Sequence, residues 1–310
     1  MLQIVSGTLP ANAPACLDAE SPSVELLIDA RPRDLGGFAV RRLLPAASRR
    51  LVGPFIFFDH MGPADLAAGA GFNVRPHPHI GLATVTYLFD GEIVHRDSLG
   101  SVQPIRPGDV NWMLVGRGIA HSERTSEEAQ RTRIRIHGIQ SWVALPLESE
   151  EMPPRFEHHA SRTIPTVERD GARLDIIAGT AFGARSPVGC VSPTLYVHAR
   201  LDAGARLAVD TEHEERAVYI VEGAISCDER RFGAGALVIF RPGVPVTVEA
   251  LEATRMMLLG GAKLAGDRQV WWNFVSSSKE RIERAKDDWE NRRFPSIPGD
   301  DIDFIPLPSV

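Results

Sequence analysis

Hydrophobic residues in this chain occur in short runs of alternating or continuous apolar positions, separated by glycine, proline or aspartate. Examples of these runs are AVRRLL, PFIFFDH, TVTYLF, VNWML, LDIIAG, AVYIVEG, LVIF and MMLLGG. Runs of this length with turn residues between them are typical of β-strands joined by tight turns. The strands follow one another too closely for alternating strand and helix units. The pattern therefore predicts an all-β sandwich or barrel.

A weak internal repeat relates the two halves of the chain. The stretch YLFDGEIVHRDSLGSVQPIRPGDVNWMLVGRGIAHSE and the later stretch YIVEGAISCDERRFGAGALVIFRPGVPVTVE share one order of strands, hairpins and glycines. Glycine at these turns allows the positive φ angles that tight hairpins need. The aligned glycines are Gly91, Gly108 and Gly118 in the first copy and Gly223, Gly235 and Gly243 in the second. The repeat predicts two tandem barrels, in residues 1–150 and 151–310.

The C-terminal part of the chain has a different pattern, which predicts one amphipathic helix followed by an extended tail. Ser277 and Glu280 are spaced as a capping box. The apolar face would consist of Ile282, Ala285 and Trp289. The pairs four residues apart on the other faces are Lys279 with Glu283, Arg284 with Asp288, and Lys286 with Glu290. We expect the helix to end near Arg293, before a proline-rich segment that cannot continue it.

Composition excludes several classes of protein. The 310 residues can form one large or two medium domains with a substantial core. Cys16, Cys190 and Cys227 are too few and too far apart for a disulfide framework or a thiolate zinc site. The formal net charge of -6 gives no reason to expect nucleic acid or an anionic membrane as a direct ligand. The chain has no long apolar run and no basic residue before Arg31, so a soluble cytoplasmic protein is expected.

Candidate chemistry is concentrated in two short motifs of the first half. RPHPHIG contains His77 and His79, and GRGIAHSE contains His121 and Glu123. Alternate residues of a strand project from the same face, so each motif would direct two ligand atoms to one side of its strand. Two such strands facing each other would form a shell of three imidazoles and one carboxylate. This donor set suits a divalent transition metal better than calcium or magnesium. Open coordination positions would permit catalysis.

These motifs, together with GPFIFFDHMGP, GGFAVRRLLP and the C-terminal WWNFVSSSKERIERAKDDWENRRF, resemble the pirin family of the cupin superfamily over nearly the whole chain. The resemblance implies two tandem cupin barrels of the double-stranded β-helix or jelly-roll type, with a metal in the first barrel only. The family's metal ligands fall on His77, His79, His121 and Glu123. Pirins commonly have glutamate after HxH where this chain has Ala83, which we expect to alter the polarity or shape of the pocket.

The resemblance implies a dioxygenase of the quercetin 2,3-dioxygenase type, acting on a flavonol or a related enolic or catecholic substrate with dioxygen. Glu123 would be both metal ligand and catalytic base, which requires it to move partly off the metal. Iron(II) is the expected metal, with manganese, nickel, copper and zinc as alternatives. One alternative function is a metal-dependent regulatory module without turnover, whose partner would be a transcription regulator or a metabolic enzyme. Another is a non-redox cupin such as an isomerase.

Other side chains are less specific. We expect His60, His95 and His137 to be structural histidines, with a role beside the metal ligands as the alternative, and we expect no second metal site at His213. Most of the apolar strand residues should belong to the core. Those that could instead line a cavity are Phe55, Phe57, Phe58, Trp112 and Met113.

Overall fold

A computed structural model describes residues 21–34, 39–209 and 211–308. The strands of the first half are β1 Val24–Asp29, β2 Arg31–Asp34, β3 Ala39–Leu44, β4 Phe55–Leu66, β5 Asn73–His79, β6 Leu82–Asp90, β7 Ile93–Asp97, β8 Val102–Ile105, β9 Val110–Leu114, β10 Ile119–Arg124 and β11 Ile134–Ala144. A short helix, α1 (Glu127–Gln130), precedes β11. The predicted all-β class is confirmed.

The second half continues with the same kind of element. Its strands are β12 Arg155–His159, β13 Thr166–Arg169, β14 Ala172–Ala181, β15 Ala184–Arg185, β16 Thr194–Leu201, β17 Arg206–Val209, β18 Glu215–Glu222, β19 Ala224–Cys227, β20 Arg230–Gly233, β21 Ala236–Phe240, β22 Val246–Ala250, β23 Thr254–Gly261, β24 Gln269–Trp271 and β25 Phe274–Ser276. The chain then forms α2 (Lys279–Glu290). Within the described residues, no helix is long and apolar enough to cross a membrane.

The strands form two barrels of matching topology. In the first, a seven-stranded sheet of order β12-β9-β6-β11-β4-β3-β2 faces a four-stranded sheet of order β5-β10-β7-β8. In the second, the strand path β1-β21-β18-β23-β16-β14-β13, with β15 paired to β14, faces a four-stranded sheet of order β17-β22-β19-β20. The two four-stranded sheets therefore have the same order when the repeat is aligned. All six aligned glycines have positive φ, as the repeat predicts.

Strand pairing departs from a linear division at residue 150. Strand β1 pairs with β21 of the second barrel, although it lies at the start of the chain. Strand β12 pairs with β9 of the first barrel, although it follows residue 150. Each barrel thus takes an edge strand from beyond the predicted boundary. This exchange joins the two barrels by backbone hydrogen bonds as well as by side-chain packing.

The larger sheets of the two barrels pack face to face over a shared apolar core. This core includes Phe58 and Val85 from the first barrel and Tyr219, Met257 and Leu259 from the second, all nearly inaccessible to solvent. Strand residues alternate between this interface and the interior of their own barrel, as the pleat requires. In both larger sheets, the strands that are buried on both faces therefore consist mostly of apolar residues.

Helix α2 confirms part of the sequence prediction. Ile282, Ala285 and Trp289 are buried as expected. The cap is Ser278, one residue later than predicted, and its Oγ accepts a hydrogen bond from the Arg281 N–H. Ser277 is not the cap because its N–H and hydroxyl both bind the carboxylate of Glu150.

The predicted end of α2 and its charge pairs also need correction. The helix ends at Glu290 rather than near Arg293, and Asn291 forms its C-cap. Lys286 pairs with Glu283, three residues before it, at 2.8 Å instead of with Glu290.

A buried histidine pair lies at the interface between the barrels. Arg41 Nη2 lies 3.1 Å from His60 Nε2, and because arginine can only donate, that nitrogen accepts. His137 Nε2, 2.8 Å away, then also donates to it. The remaining His60 Nδ1–H donates to the Tyr219 hydroxyl at 2.6 Å. The predicted structural role of His60 and His137 is therefore confirmed, and both rings are held neutral.

This arrangement predicts a pH-dependent loss of stability. Burial, reinforced by the charge of Arg41, lowers the pKa of His60 to about 2. Below the ordinary value of about 6.5 the unfolded chain binds a proton on His60 that the folded protein excludes, so stability falls with falling pH. We expect His60 to contribute a slope of about 1.4 kcal/mol per pH unit between pH 6 and 4. Urea unfolding across this range should give a shallower slope for His60→Gln than for the wild type. An unchanged slope in His60→Gln would contradict the prediction.

Candidate metal centre

Strands β5 and β10 are antiparallel neighbours and bring the two histidine motifs together. His121 lies directly opposite His77 in the register, and β5 continues to His79. Paired residues of an antiparallel ladder project from the same face, as do residues two apart in a strand. All three imidazoles therefore enter the first barrel from its four-stranded sheet. Their side chains are at most 2% exposed.

The hydrogen bonds of the three rings leave one nitrogen of each for a metal. His77 Nδ1–H donates to the Arg75 carbonyl at 2.8 Å, and His79 Nδ1–H donates to the Asn273 carbonyl at 3.0 Å. His121 Nε2 is buried and has no hydrogen-bond partner within the described part of the chain. One ligand atom from each of the three histidines lies within 4.8 Å of the other two. The three rings therefore fit a metal ion, and the unpartnered nitrogen is the observation that a metal would explain.

The protonation state of the rings agrees with this arrangement. Burial lowers the pKa of His77 to about 4. Burial also lowers the pKa values of His79 and His121 well below the ordinary value, and the neighbouring His77 lowers both further. All three are therefore neutral imidazoles near pH 7, the form that binds metals.

His95 and Asp97 support His121 from strand β7. Asp97 Oδ2 accepts a hydrogen bond from His95 Nε2 at 2.9 Å. In a neutral imidazole the other nitrogen is an acceptor, and His95 Nδ1 lies 3.4 Å from His121 Nδ1. A hydrogen bond from His121 Nδ1–H to His95 Nδ1 leaves the lone pair of His121 on Nε2. His95 thus belongs to the shell around the ligands, as the alternative interpretation of the sequence proposes.

Glu123 lies on the same face but apart from the three ligand nitrogens. Neither of its carboxylate oxygens belongs to the group of atoms that lie within 4.8 Å of one another. Its Oε1 accepts a hydrogen bond from the Thr86 hydroxyl at 3.0 Å. Burial raises the pKa of Glu123, and His95 and the Thr86 hydrogen bond oppose this rise. Metal ligation by Glu123 stays a prediction, and its present position suits a base beside the metal.

A narrow cavity of about 30 Å³ reaches the ligands. Its walls are mostly apolar and include Phe57 and Trp142, whose rings stack at 4.0 Å. The full lining consists of Val40, Phe57, Asp59, Met61, Phe72, Val74, His77, His79, Glu123, Gln140 and Trp142. Of the five apolar residues suggested by the sequence, only Phe57 lines this cavity. Phe55, Phe58 and Trp112 lie in the core between the barrels, and Met113 lies in an apolar cluster beside the cavity.

A row of polar side chains crosses the sheet that faces the histidines. The row consists of successive cross-strand partners, namely Arg42, Asp59, Gln140, Thr86, Asn111 and His158. Arg42 donates two hydrogen bonds of 2.8 Å to the Asp59 carboxylate. Thr86 connects Gln140, at 2.8 Å, to Glu123. The row places acceptor groups opposite the metal ligands in an otherwise apolar cavity, a combination typical of ligand sites.

Three residues of this row were not predicted as site residues, namely Asp59, Thr86 and Gln140. The alternation in TVTYLF could have indicated that Thr86 points into the barrel. Asp59 and Gln140 become site residues only through the register of β4, β11 and β6, which the sequence does not specify.

Ala83 has a different role from the one expected. Its side chain belongs to the core between the barrels, together with Val85. Thr84 and Thr86 alternate with these residues and therefore face the barrel interior. Ala83 thus does not line the metal cavity, because position 83 lies on the other face of β6.

The glycines beside the ligands are required by close backbone packing. A Cβ atom on Gly81, at φ +69°, would lie 2.0 Å from the Val275 carbonyl oxygen. A Cβ on Gly116, at φ +53°, would lie 2.0 Å from the Met152 carbonyl oxygen. Both contacts are backbone contacts and neither residue lines the cavity, so these glycines serve turns rather than ligand access.

The C-terminal segment packs on the first barrel and helps to hold the site. The Asn273 carbonyl orients His79. The Ile305 N–H donates to the Pro76 carbonyl of the ligand strand at 2.8 Å. Arg124, next to Glu123, pairs with Asp300 at 2.7 Å. Residues almost 200 positions from the HxH motif therefore fix the orientation of its second histidine.

The matching strands of the second barrel carry no ligands. Inward positions of β17 and β22 are Leu207, Val209, Val246 and Val248, all within an apolar cluster. His213 instead makes a 2.8 Å hydrogen bond with the Thr180 carbonyl. Within the described residues, the three histidines of the first barrel form the only group of this kind. This asymmetry agrees with the prediction of one metal barrel.

Comparison with known proteins places these features in a family. The chain matches the pirin family over residues 37–143 and the pirin C-terminal cupin domain over residues 196–295. It is 49% identical to a pirin-like protein of Caulobacter vibrioides, over 92% of this chain and 99% of that protein.

Solved structures show the same fold. A crystal structure described as quercetin 2,3-dioxygenase from Acinetobacter baumannii is 32% identical, with a TM-score of 0.85 over 92% of this chain and 95% of that one. The Escherichia coli pirin YhhW in complex with nickel(II) has a TM-score of 0.62 at 17% identity, over 77% of this chain and 99% of that one. With two barrels, three convergent histidines and these matches, the chain belongs to the pirin family.

Proposed function

We propose that this chain is a metal-dependent dioxygenase that cleaves a flavonol or a related enolic or catecholic substrate. The observation that carries this proposal is the convergence of three neutral imidazoles, two of which line a partly aromatic cavity that also contains a buried carboxylate. The 32% identity to a protein described as a quercetin 2,3-dioxygenase supports the reaction class. We propose iron(II) as the metal. The free thiols of Cys190 and Cys227 suit a reducing compartment such as the cytoplasm.

His77, His79 and His121 would supply the three imidazole ligands. His121 would bind through Nε2, which has no hydrogen-bond partner among the described residues, and His77 and His79 through the nitrogen that does not donate to a carbonyl. Glu123 lines the same cavity as His77 and His79. A bound iron(II) ion would supply Lewis acidity toward a substrate oxygen and electron transfer to dioxygen. Three protein ligands leave positions open for this chemistry.

Glu123 is the proposed base. Its burial raises the pKa of the carboxyl group, which makes the carboxylate a better proton acceptor. The Thr86 hydroxyl holds one carboxylate oxygen and so limits its rotation. The substrate hydroxyl would give its proton to Glu123. With a flavonol, both atoms of dioxygen would enter the ring-opened product, and the hydroxyl-bearing ring carbon would leave with its own oxygen as carbon monoxide. With a catechol, both atoms would enter the ring-opened product and no carbon would be lost.

The lining of the cavity favours a neutral, hydroxylated aromatic substrate over a dicarboxylate. Phe57 and Trp142 provide flat apolar contacts. The carboxylates of Asp59 and Glu123 accept hydrogen bonds from substrate hydroxyls and repel anions. A cavity of about 30 Å³ holds one or two water molecules, so a three-ring flavonol can bind only when the wall opens. Single-ring catechols are therefore essential test substrates.

Anaerobic reconstitution with iron(II), followed by oxygen-electrode assays, tests this function. We expect metal-dependent oxygen uptake with quercetin or a simple catechol, and one cleaved product for each dioxygen consumed. His77→Ala should show no uptake, because it lacks one of the three imidazole ligands. His213→Ala, which removes a histidine of the second barrel, should behave as the wild type.

Full metal loading without oxygen uptake on any flavonol, catechol or enol would contradict the proposal. The regulatory alternative would then be the better explanation. A mostly apolar cavity that reaches His77 and His79 supports the enzyme. The large apolar residues that the described surface exposes are also scattered, namely Leu99, Val102, Leu147, Leu251 and Ile302.

A further inference from the structure

A second cavity lies between the two barrels. Its volume is about 250 Å³, much larger than the metal cavity. The first barrel contributes Tyr87 and Phe89 from β6, and the second contributes strands β14, β16 and β23. The polar lining of the second barrel includes Arg173, Asp175, His198, Arg200 and Arg255. Tyr87 and Thr86 are adjacent in a strand, so this cleft and the metal cavity lie on opposite faces of the same sheet.

Three arginines form a row on the wall supplied by the second barrel. Arg173 lies directly opposite Arg200 in the pairing of β14 with β16. Arg200 in turn lies directly opposite Arg255 in the pairing of β16 with β23. Like charges at directly opposite positions destabilise a sheet. A row of three guanidinium groups facing one cleft is therefore costly unless anions offset it.

The protein supplies only part of that compensation within the cleft. Asp175 is the one carboxylate of the lining, and it pairs with Arg200, lies 3.7 Å from Arg173 Nε and accepts a hydrogen bond from Thr166. Arg173 pairs with Glu168 and Arg255 lies near Glu222, but those glutamates lie outside the lining and are 71% and 52% exposed. Exposed pairs of this kind contribute little.

The arginines also retain donors for a ligand. Each guanidinium has five N–H groups in a planar fork that matches carboxylate and phosphate oxygens. The separation between Arg255 Nη1 and Glu222 Oε2 is 3.7 Å, too long for a hydrogen bond. The cleft thus presents three cations and one carboxylate, with N–H groups that the carboxylates of the described residues do not saturate.

The positive field of the row reaches neighbouring groups. His198, on the cleft wall, has a pKa lowered to about 3, first by burial and then by Arg200, Arg255 and Arg173. This shift occurs although the Asp175 carboxylate is 3.6 Å from His198 Nδ1.

The lining also includes apolar side chains. The Arg255 guanidinium lies over the Phe89 ring, 4.9 Å from its centre. Ile164 and Pro107 also line the cleft. A ligand that fits this lining would carry an anionic group toward the arginines and an apolar body against Phe89, Ile164 and Pro107.

We propose that this cleft binds a small organic oxyanion, a carboxylate or a phosphate ester with an apolar body, between the two barrels. Arg173, Arg200 and Arg255 bind the anionic group, and Phe89 contacts the apolar part. Such a ligand contacts both barrels and therefore stabilises their association. The site is independent of the metal, so it does not rest on the proposed dioxygenase activity.

Isothermal titration calorimetry of the metal-loaded protein tests the site, with phenyl phosphate and benzoate as probes in chloride buffer of constant ionic strength. We expect saturable binding of at least one probe at one site per chain. The double variant Arg173→Gln/Arg255→Gln should weaken that binding at least about tenfold, because it removes two charge-assisted contacts. The matched control is Arg206→Gln/Arg231→Gln, whose arginines also pair with exposed glutamates but lie on the other sheet of the second barrel. This control should bind as the wild type.

His77→Ala provides a second control, because the same anions could bind a metal. Unchanged affinity in His77→Ala supports the cleft, and loss of binding there would assign the anion to the metal and overturn the proposal. Equal affinity in the wild type and in Arg173→Gln/Arg255→Gln would also overturn it, as would no saturation by either probe. Thermal unfolding of each variant without ligand checks that the barrels remain folded. Whether phenyl phosphate or benzoate binds more tightly distinguishes a phosphate ester from a carboxylate as the physiological class.

Discussion

Replacing His121 with alanine is expected to weaken metal binding by about 100- to 1,000-fold and to leave the isolated protein nearly free of metal. Structural metal sites with four ligands bind with about 10 to 16 kcal/mol, so one ligand accounts for roughly a quarter of that free energy. His121 Nε2 is buried and has no protein partner among the described residues, so removing the ring costs no hydrogen bond of that nitrogen. The loss should therefore appear in metal affinity far more than in folding.

Metal content by mass spectrometry and chelator competition would measure this effect. His213→Ala is the matched control, because His213 is also buried but binds the Thr180 carbonyl in the second barrel. It should retain wild-type metal content. Stoichiometric, tightly bound metal in His121→Ala would show that the ion binds elsewhere and would remove the basis of the proposed site.

Local patterns in the sequence predicted the histidine ligands well. HxH places two rings on one face of any strand, whatever that strand pairs with. To place His121 with these two rings, one must also know that the strand of the second motif is the neighbour of the first strand. The register confirms this, because His121 is opposite His77. The expectation that the two strands face each other is wrong, because they are antiparallel neighbours in one four-stranded sheet.

The repeat was equally informative because hairpin glycines report backbone conformation directly. Gly91 and its counterpart Gly223 have φ of 91° and 83°, values that other residues rarely adopt. Both copies therefore keep the turn glycines, although only the first copy has the three histidines. In the second barrel the inward side chains of β17 and β22 are aliphatic, so the same topology forms a closed apolar core.

The parts that sequence analysis missed depend on contacts between distant segments. The Asn273 carbonyl orients His79. A contact made by a backbone carbonyl cannot be predicted from the pattern of side chains. Ala83 seemed to belong to the metal cavity, but its face is set by the packing of one barrel on the other. Strand β1 pairs with β21, which is more than 200 residues away in the sequence, and local strand propensity does not predict such a pairing.

Glu123→Gln is expected to lower kcat of the proposed dioxygenase at least about 100-fold, the usual contribution of a general base. Glutamine has nearly the same shape and can still accept a hydrogen bond from Thr86, but its amide cannot take a proton from the substrate hydroxyl. Thr86→Val should have a smaller effect, about tenfold, because it frees the carboxylate to rotate without removing it. Single-turnover kinetics on metal-loaded protein, with metal content determined on the same samples, would measure both.

The ratio of activity to bound metal separates the two roles of Glu123. If the carboxylate acts chiefly as a base, Glu123→Gln keeps its metal and loses turnover per metal ion. Its position outside the cluster of three ligand nitrogens makes this the expected result. A parallel fall in metal and activity, with unchanged turnover per bound ion, would instead make Glu123 a ligand without a proton-transfer role. The substrate proton would then need another acceptor, and Asp59, which accepts two hydrogen bonds from Arg42, is the other carboxylate of the cavity wall.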